Sequence, residues 1–364
     1  MRQVSRGRWA VSVGAACAVL AAPVHAVDIQ IIDTTPGGMT AAQLAAFDTA
    51  ATYWESRFSD PVTVYLKINF ADQGNNGILG STGSNYSVAS YDDIRTRMTL
   101  DARSAVDASV VGHLQPGPTI GFKATNLDGT TRFDNDTSSA GCATGGFCDN
   151  NNRYLALTTA NAKALGFDVG TNAGNADGSI TFNGFYASMF DFNRADGLPG
   201  DKTDFITVAE HEIGHALGFV SGVDDVDFCA FSPASCGLSG PYDLEQFALY
   251  SPLDLFRYSA PGELDLRVGA PAYFSVDGGA SGLASFATGS FAGDGWQASH
   301  FGPNELNLMR PFIGNGESYD ATPADLAAFD AIGWDVAAVP EPSTWALFAL
   351  GLAGLGARTR RRRA

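Results

Sequence analysis

The sequence predicts an α+β protein whose helices and short strands are set in a loop-rich body. Two observations point there. Glycine is abundant, at 42 of 364 residues, and clusters with Asn, Asp and Ser in turn-forming stretches. Between those stretches, segments with a helical apolar rhythm are interspersed with short β-branched and aromatic runs. The hydrophobic fraction of 45% and aromatic fraction of 11% suit a globular chain with room for a sizeable core.

The two ends are read apart from the fold. Residues 1–26 carry Arg2, Arg6 and Arg8, an apolar run, then Val24-His25-Ala26, the pattern of a secretory signal peptide cleaved near Val27. At the other end, Pro340-Glu341-Pro342 precedes an apolar stretch from Trp345 to Ala357 and an arginine cluster at Arg358 and Arg360–Arg363. That stretch is short for a full span, and its arginines favour the cytoplasmic side.

In the body, TAAQLAAFDTAATYWESR (40–57) predicts a helix with Thr40 as N-cap and Leu44, Phe47, Ala51 and Trp54 on one face. VTVYLKINF (62–70) alternates like a strand. A second helix starts near Tyr91, PTIGFKA (118–124) reads as a short strand, and 126–152 reads as a long loop. TTANAKALGF (158–167) predicts a short helix, Ser179–Asn183 a strand, and ITVAEHEIGHALGF (206–219) a helix. Residues 222–299 read as largely irregular, with a short helix around Tyr242–Leu253. TPADLAAFDAIGWDV closes the body: Thr322 caps, Pro323 opens and Asp325 sits at the third position. The expected division is 1–26 signal peptide, 27–219 N-terminal subdomain, 220–338 C-terminal subdomain and 339–364 C-terminal signal.

Without those ends, the body holds 14 basic against 38 acidic residues. Such a surface argues against a nucleic-acid or anionic-lipid partner. Four cysteines remain after signal removal, and local pairing as Cys142–Cys148 and Cys229–Cys236 is the simplest of three arrangements in an oxidising compartment.

The chemistry centres on His211-Glu212-Ile213-Gly214-His215. Residues four apart share a helix face, so both histidines can reach one Zn²⁺ at about 2.1 Å. Glu212, one residue round, is suited to take a proton from water as a general base. A catalytic zinc normally takes a third protein ligand. Ser221, six residues beyond His215, is a poor one. Asp224, Asp225, Asp227 and Glu245 are candidates, as are His113 and His300. The loop Asp191, Asn193, Asp196, Gly197, Asp201 offers oxygen ligands for Ca²⁺ without a full EF-hand pattern.

Two resemblances add to this reading. The C-terminal segment resembles a PEP-CTERM sorting signal of Gram-negative bacteria. That implies export, transient membrane insertion, cleavage near Pro-Glu-Pro by a sorting protease of the exosortase type, and release or attachment outside the cell; a plain C-terminal membrane anchor is the other reading. The segment from Ser179 to about Asp335 resembles metzincin-type zinc endopeptidases, and in particular the leishmanolysin-like branch. His211-Glu212-x-x-His215-x-x-Gly218, then His300, then Leu308-Met309-x-Pro311 carries the likeness. It implies a twisted mixed sheet with helices in an upper subdomain, and an irregular lower subdomain ending in a helix. It also implies His300 as third ligand and Met309 as a methionine turn beneath the metal. An edge strand, here Ser179, Ile180, Thr181, Phe182 and Asn183, would pair with an extended protein or peptide substrate. Tyr319 or Arg310 would assist the oxyanion. The function expected is that of an exported zinc-dependent endopeptidase. The alternatives are a catalytically silent surface or matrix-binding protein on the same fold, and a metal-dependent hydrolase of a non-peptide ester or amide.

Overall fold

The computed structural model describes residues 27–135, 150–238 and 243–337. The expected signal peptide, the Cys142–Cys148 pair and the C-terminal sorting segment lie outside the described residues. In chain order the strands are β1 (Asp28–Asp33), β2 (Thr63–Ala71), β3 (Gly80–Ser84), β4 (Tyr86–Ser90), β5 (Phe122–Thr125), β6 (Thr131–Asp134), β7 (Tyr154–Thr158) and β8 (Gly178–Asn183). Short strands follow at β9 (Phe190–Asp191), β10 (Thr203–Asp204), β11 (Arg257–Ala260), β12 (Glu263–Leu264), β13 (Tyr273–Phe274) and β14 (Ala284–Ser285). The helices are α1 (Ala41–Glu55), α2 (Tyr91–Asp101), α3 (Ala105–His113), α4 (Asn150–Arg153), α5 (Thr159–Ala164), α6 (Phe205–Ala216), α7 (Val223–Phe231), α8 (Pro233–Cys236) and α9 (Pro323–Ala331).

Local sequence chemistry accounts for the helix starts. Thr40 accepts from the Gln43 amide and completes a capping box on α1. Asp204 accepts from the Ile206 amide at the start of α6, and Thr322 with Asp325 boxes α9. The helix expected from Tyr91 onward is interrupted. Ala102 leaves helical geometry, and Ser104 with Asp107 begins a new capping box for α3. The stretch from 126 to 135 is not all loop, because β6 folds back on β5.

The principal sheet runs β1-β2-β8-β3, with β1, β2 and β8 parallel and β3 antiparallel. This corrects the expectation for Ser179, Ile180, Thr181, Phe182 and Asn183. They form an interior strand, paired with β2 on one side and β3 on the other. With neighbours on both sides, β8 has no free row of backbone groups to offer a substrate. Ile180, Phe182 and Asn183 are buried, and Asn183 donates to the Gly74 carbonyl and accepts from the Gln73 amide. The edge beyond it is β3.

Helix α6 lies across this sheet against α1 and β3. Phe205, at its start, packs among Phe47, Phe70, Phe182 and Phe190. Two buried indoles hold its carbonyls: Trp54 Nε1 donates to Glu210 and Trp334 Nε1 to Leu217. Trp54 also meets Phe329 of α9, so residues from both halves share one continuous core.

Residues 222–299 are more ordered than their composition suggests. They contain α7, α8 and a sheet in the order β12-β11-β13-β14. The helix expected around 242–253 is replaced by two 3₁₀ turns, Asp243–Gln246 and Pro252–Phe256. Cys229 and Cys236 form the expected disulfide, joining α7 to α8.

Candidate metal centre

Helix α6 presents His211 and His215 one turn apart, and the loop before Phe301 brings His300 against them. Their Nε2 atoms form a triangle with sides of 3.0, 3.2 and 3.3 Å. Nitrogens on one tetrahedral zinc at ~2.1 Å lie ~3.4 Å apart, so the triangle fits. The protonation pattern agrees. Nδ1 of His211 faces the Leu308 carbonyl at 2.9 Å, Nδ1 of His215 the Phe219 carbonyl at 2.7 Å, and Nδ1 of His300 the Gln297 carbonyl at 3.2 Å. A carbonyl only accepts, so each Nδ1 carries the proton and each Nε2 turns a lone pair to the same point. Burial lowers the pKa of His211 to about 4 and of His215 to about 3, and that of His300 well below its ordinary value. Neutral imidazoles converging in this way are a ligand set for a borderline-soft cation. Among the described residues, this is the one group of three or more His, Cys, Asp or Glu side chains gathered within reach of a single ion. Asp191, Asp196 and Asp201, whose loop offers oxygen ligands that could hold calcium, are not gathered into such a group. Asp191 accepts from the Asn193 amide, and Arg194 of that loop turns to Asp204 and Glu210.

Each ring is held by a different device. Gly218 follows α6 with φ of +119°, a conformation that suits glycine. A Cβ there would also come within 2.9 Å of the Asn161 side chain. This turn brings the Phe219 carbonyl back to His215. His211 is set by the Leu308–Met309 turn, whose amides donate to the buried Asp325 of α9. Met309 is fully buried beneath the helix, and a Cβ on Gly214 would lie 2.6 Å from its sulfur. Gly214 is therefore the gap in α6 that admits Met309.

His300 depends on long-range partners. Asp224 accepts from the amides of Ala298 at 2.6 Å and Ser299 at 3.0 Å, and from the Ser299 hydroxyl. The buried Arg257 guanidinium donates to the carbonyls of Ala298 and Ala287. Ser221 donates its amide to Ser299 Oγ and its hydroxyl to Asp254. The carboxylate considered as a third ligand, Asp224, thus stands one step behind His300. Asp225 is exposed, Asp227 caps the amides of Phe291 and Ala292, and Glu245 pairs with Arg132. His113 is exposed and accepts no role here: its Nδ1 meets the Ser109 carbonyl.

Glu212 faces the same cleft beside β3. The Thr82 hydroxyl lies 2.6 Å from its carboxylate and 2.9 Å from its backbone carbonyl. Burial pushes the Glu212 pKa up to about 7, against the opposing Thr82 hydrogen bond. Gly80 makes the approach possible, since a Cβ there would meet Glu212 Oε1 at 2.9 Å. The cleft encloses about 920 Å³ between β3, α6, the 295–300 loop and the Met309 turn. Tyr319 and Arg310 line it, with Arg310 Nη1 donating to the Tyr319 hydroxyl at 2.6 Å. The residues of β3 were missed in the sequence because Gly-Ser-Thr-Gly-Ser carries no β-branched alternation; the single signal was its lack of bulk.

Comparison with known proteins bears on the C-terminus. Residues 338–362 match the PEP-CTERM protein-sorting motif. The motif indicates export to the surface or medium of a Gram-negative bacterium, with recognition by an exosortase. No curated protein and no solved structure matches the chain.

Proposed function

We propose that this chain is an exported zinc-dependent endopeptidase of metzincin-like design. The observation that carries the reading is the convergence of three Nε2 lone pairs beside the Glu212 carboxylate in an open cleft. His211, His215 and His300 would hold the ion, which when bound supplies Lewis acidity toward water and a peptide carbonyl. Glu212 takes the proton of the attacking water and delivers it to the leaving amine. Thr82 keeps that carboxylate turned to the cleft. The free edge of β3 offers backbone groups to an extended chain, so hydrogen bonding along the substrate backbone supports register and side-chain pockets support selection.

The test is casein cleavage by the full chain with zinc, after chelation and after zinc is returned. Cleavage that is lost and regained with the metal, and that falls ~10²–10⁴-fold in Glu212→Gln, is the expected result. A zinc-loaded protein that leaves casein, gelatin and unstructured peptides intact sinks the peptidase reading and favours the binding protein.

A further inference from the structure

Arg310 follows the buried methionine directly and is the one Lys or Arg among the described residues that line the cleft. It is buried, with 8% of the residue exposed, yet it forms no salt bridge among the described residues. Two donors are used, one to the Tyr319 hydroxyl and one to the Pro303 carbonyl at 3.0 Å. Nε is buried with no partner. The guanidinium carbon lies 4.1 Å from the Phe312 ring centre and 5.0 Å from that of Tyr319, within cation–π range of both. The exposed Glu317 accepts from the Tyr319 hydroxyl at 2.9 Å and feels the Arg310 charge, without a direct ion pair to it.

A guanidinium has five donors in a rigid fork, and burying it without a carboxylate is costly. The strongest complement to that fork is a carboxylate bound by two parallel hydrogen bonds. The other acids of the cleft do not serve: Glu212 is held by Thr82, Asp224 by the His300 loop, and Asp225 lies with it toward Tyr86. We infer that Arg310, packed against Phe312 and Tyr319, is a subsite for one carboxylate of the bound peptide, either an acidic side chain or a free C-terminus. The inference rests on the peptidase reading of the same cleft.

Position supports it. The Tyr319 amide donates to Thr207 Oγ1, one helical turn before His211 on α6. Arg310 lines the same cleft as His211, Glu212, His215 and His300, so one peptide can reach all of them. The acidic body repels polyanions at long range, so the preferred segment holds a single acid among neutral residues.

The experiment uses the full chain carrying Glu212→Gln, loaded with zinc, so that bound peptides are not consumed. Three alanine-based peptides are titrated: one with a central glutamate and both ends blocked, its glutamine counterpart, and the glutamine peptide with a free C-terminus. We expect about tenfold tighter binding of at least one acid-bearing peptide than of the blocked glutamine peptide. Which one gains distinguishes side chain from terminus. Adding Arg310→Gln should reduce the difference to twofold or less, and Arg310→Lys should keep part of it. Equal behaviour of the three peptides, whether all bind or none does, overturns the inference without any variant at Arg310. A preference that persists in Arg310→Gln overturns the assignment to this residue. Failure of wild-type protein to cut any peptide or casein, with the binding preference intact, overturns the peptidase reading and leaves the subsite standing.

Discussion

His211 and His215 belong to one helix, whereas His300 reaches them from a loop 85 residues beyond His215. The first pair needs only a helical backbone, because a spacing of four sets both rings on one face. The third needs Ser221 and Asp224, from the turn into α7, and Arg257, from β11, to fix the polar groups around it. A ligand on a helix inherits its direction from backbone geometry; a ligand on a loop must have its backbone polar groups satisfied by something else.

The largest expected effect breaks the comparison outright. His215→Ala and His300→Ala should each weaken zinc binding by more than the ~10–100-fold typical of a lost supporting partner, read by competition with a chromophoric chelator. Undiminished affinity in His300→Ala would mean that the helix pair is sufficient and the loop histidine is not a ligand.

Next comes the support of the loop. Asp224→Ala should lower zinc affinity ~10–100-fold and alter the visible spectrum of the cobalt-substituted protein, while Asp225→Ala, at its exposed neighbour, should change neither. Matching effects from the two would remove the special role of Asp224.

Helix α6 has its own weak point at Gly214. Gly214→Ala places a methyl group 2.6 Å from Met309 Sδ and should destabilise the fold by ~1–3 kcal/mol in denaturant unfolding. Trimming Met309 to Ala in the same chain should make the glycine substitution nearly neutral. A penalty that stays the same in both backgrounds would show that the two residues do not compete for space.

The smallest effect lies away from both halves of the centre, where the chain leaves α9. Asp60, buried, accepts from the Asp335 amide, and its pKa is raised to about 7 by burial and by Asp335. Asp330 is likewise raised to about 7, by burial and by Asp107. A carboxyl with a raised folded-state pKa favours the protonated form. Its contribution is complete below the unfolded pKa near ~4 and is lost as pH rises through ~7. The buried histidines, with lowered pKa values, contribute in the opposite sense, so the reading is a difference: from pH 5 to pH 8 wild type should lose on the order of 1 kcal/mol relative to Asp60→Asn at constant zinc. A slope unchanged by Asp60→Asn would place the titration elsewhere.

Much of the helical frame was legible because capping is local chemistry. Thr40 and Thr322 each act on an amide three residues away, and each begins the helix expected of it. The Cys229–Cys236 link was legible for the same reason, since it closes a short segment. The strand order was not. Ser179–Asn183 and Gly80–Ser84 differ in the direction a sequence reader would misjudge: the apolar, strand-like segment is interior, and the Gly-Ser segment is the edge beside the site. Small residues are needed there because Glu212 approaches β3 closely at Gly80.

By itself, the sequence determined the face that carries His211, Glu212 and His215, since the helical period fixes which residues share a side. It also determined the C-terminal sorting motif, which is a contiguous segment. Only the tertiary structure decided that His300 completes the triangle, that Asp224 stands behind it and not in it, and that Arg310 lines the cleft without an ion pair among the described residues. Those outcomes depend on which buried donors meet which acceptors across distant segments, and that pairing exists only once the core has packed.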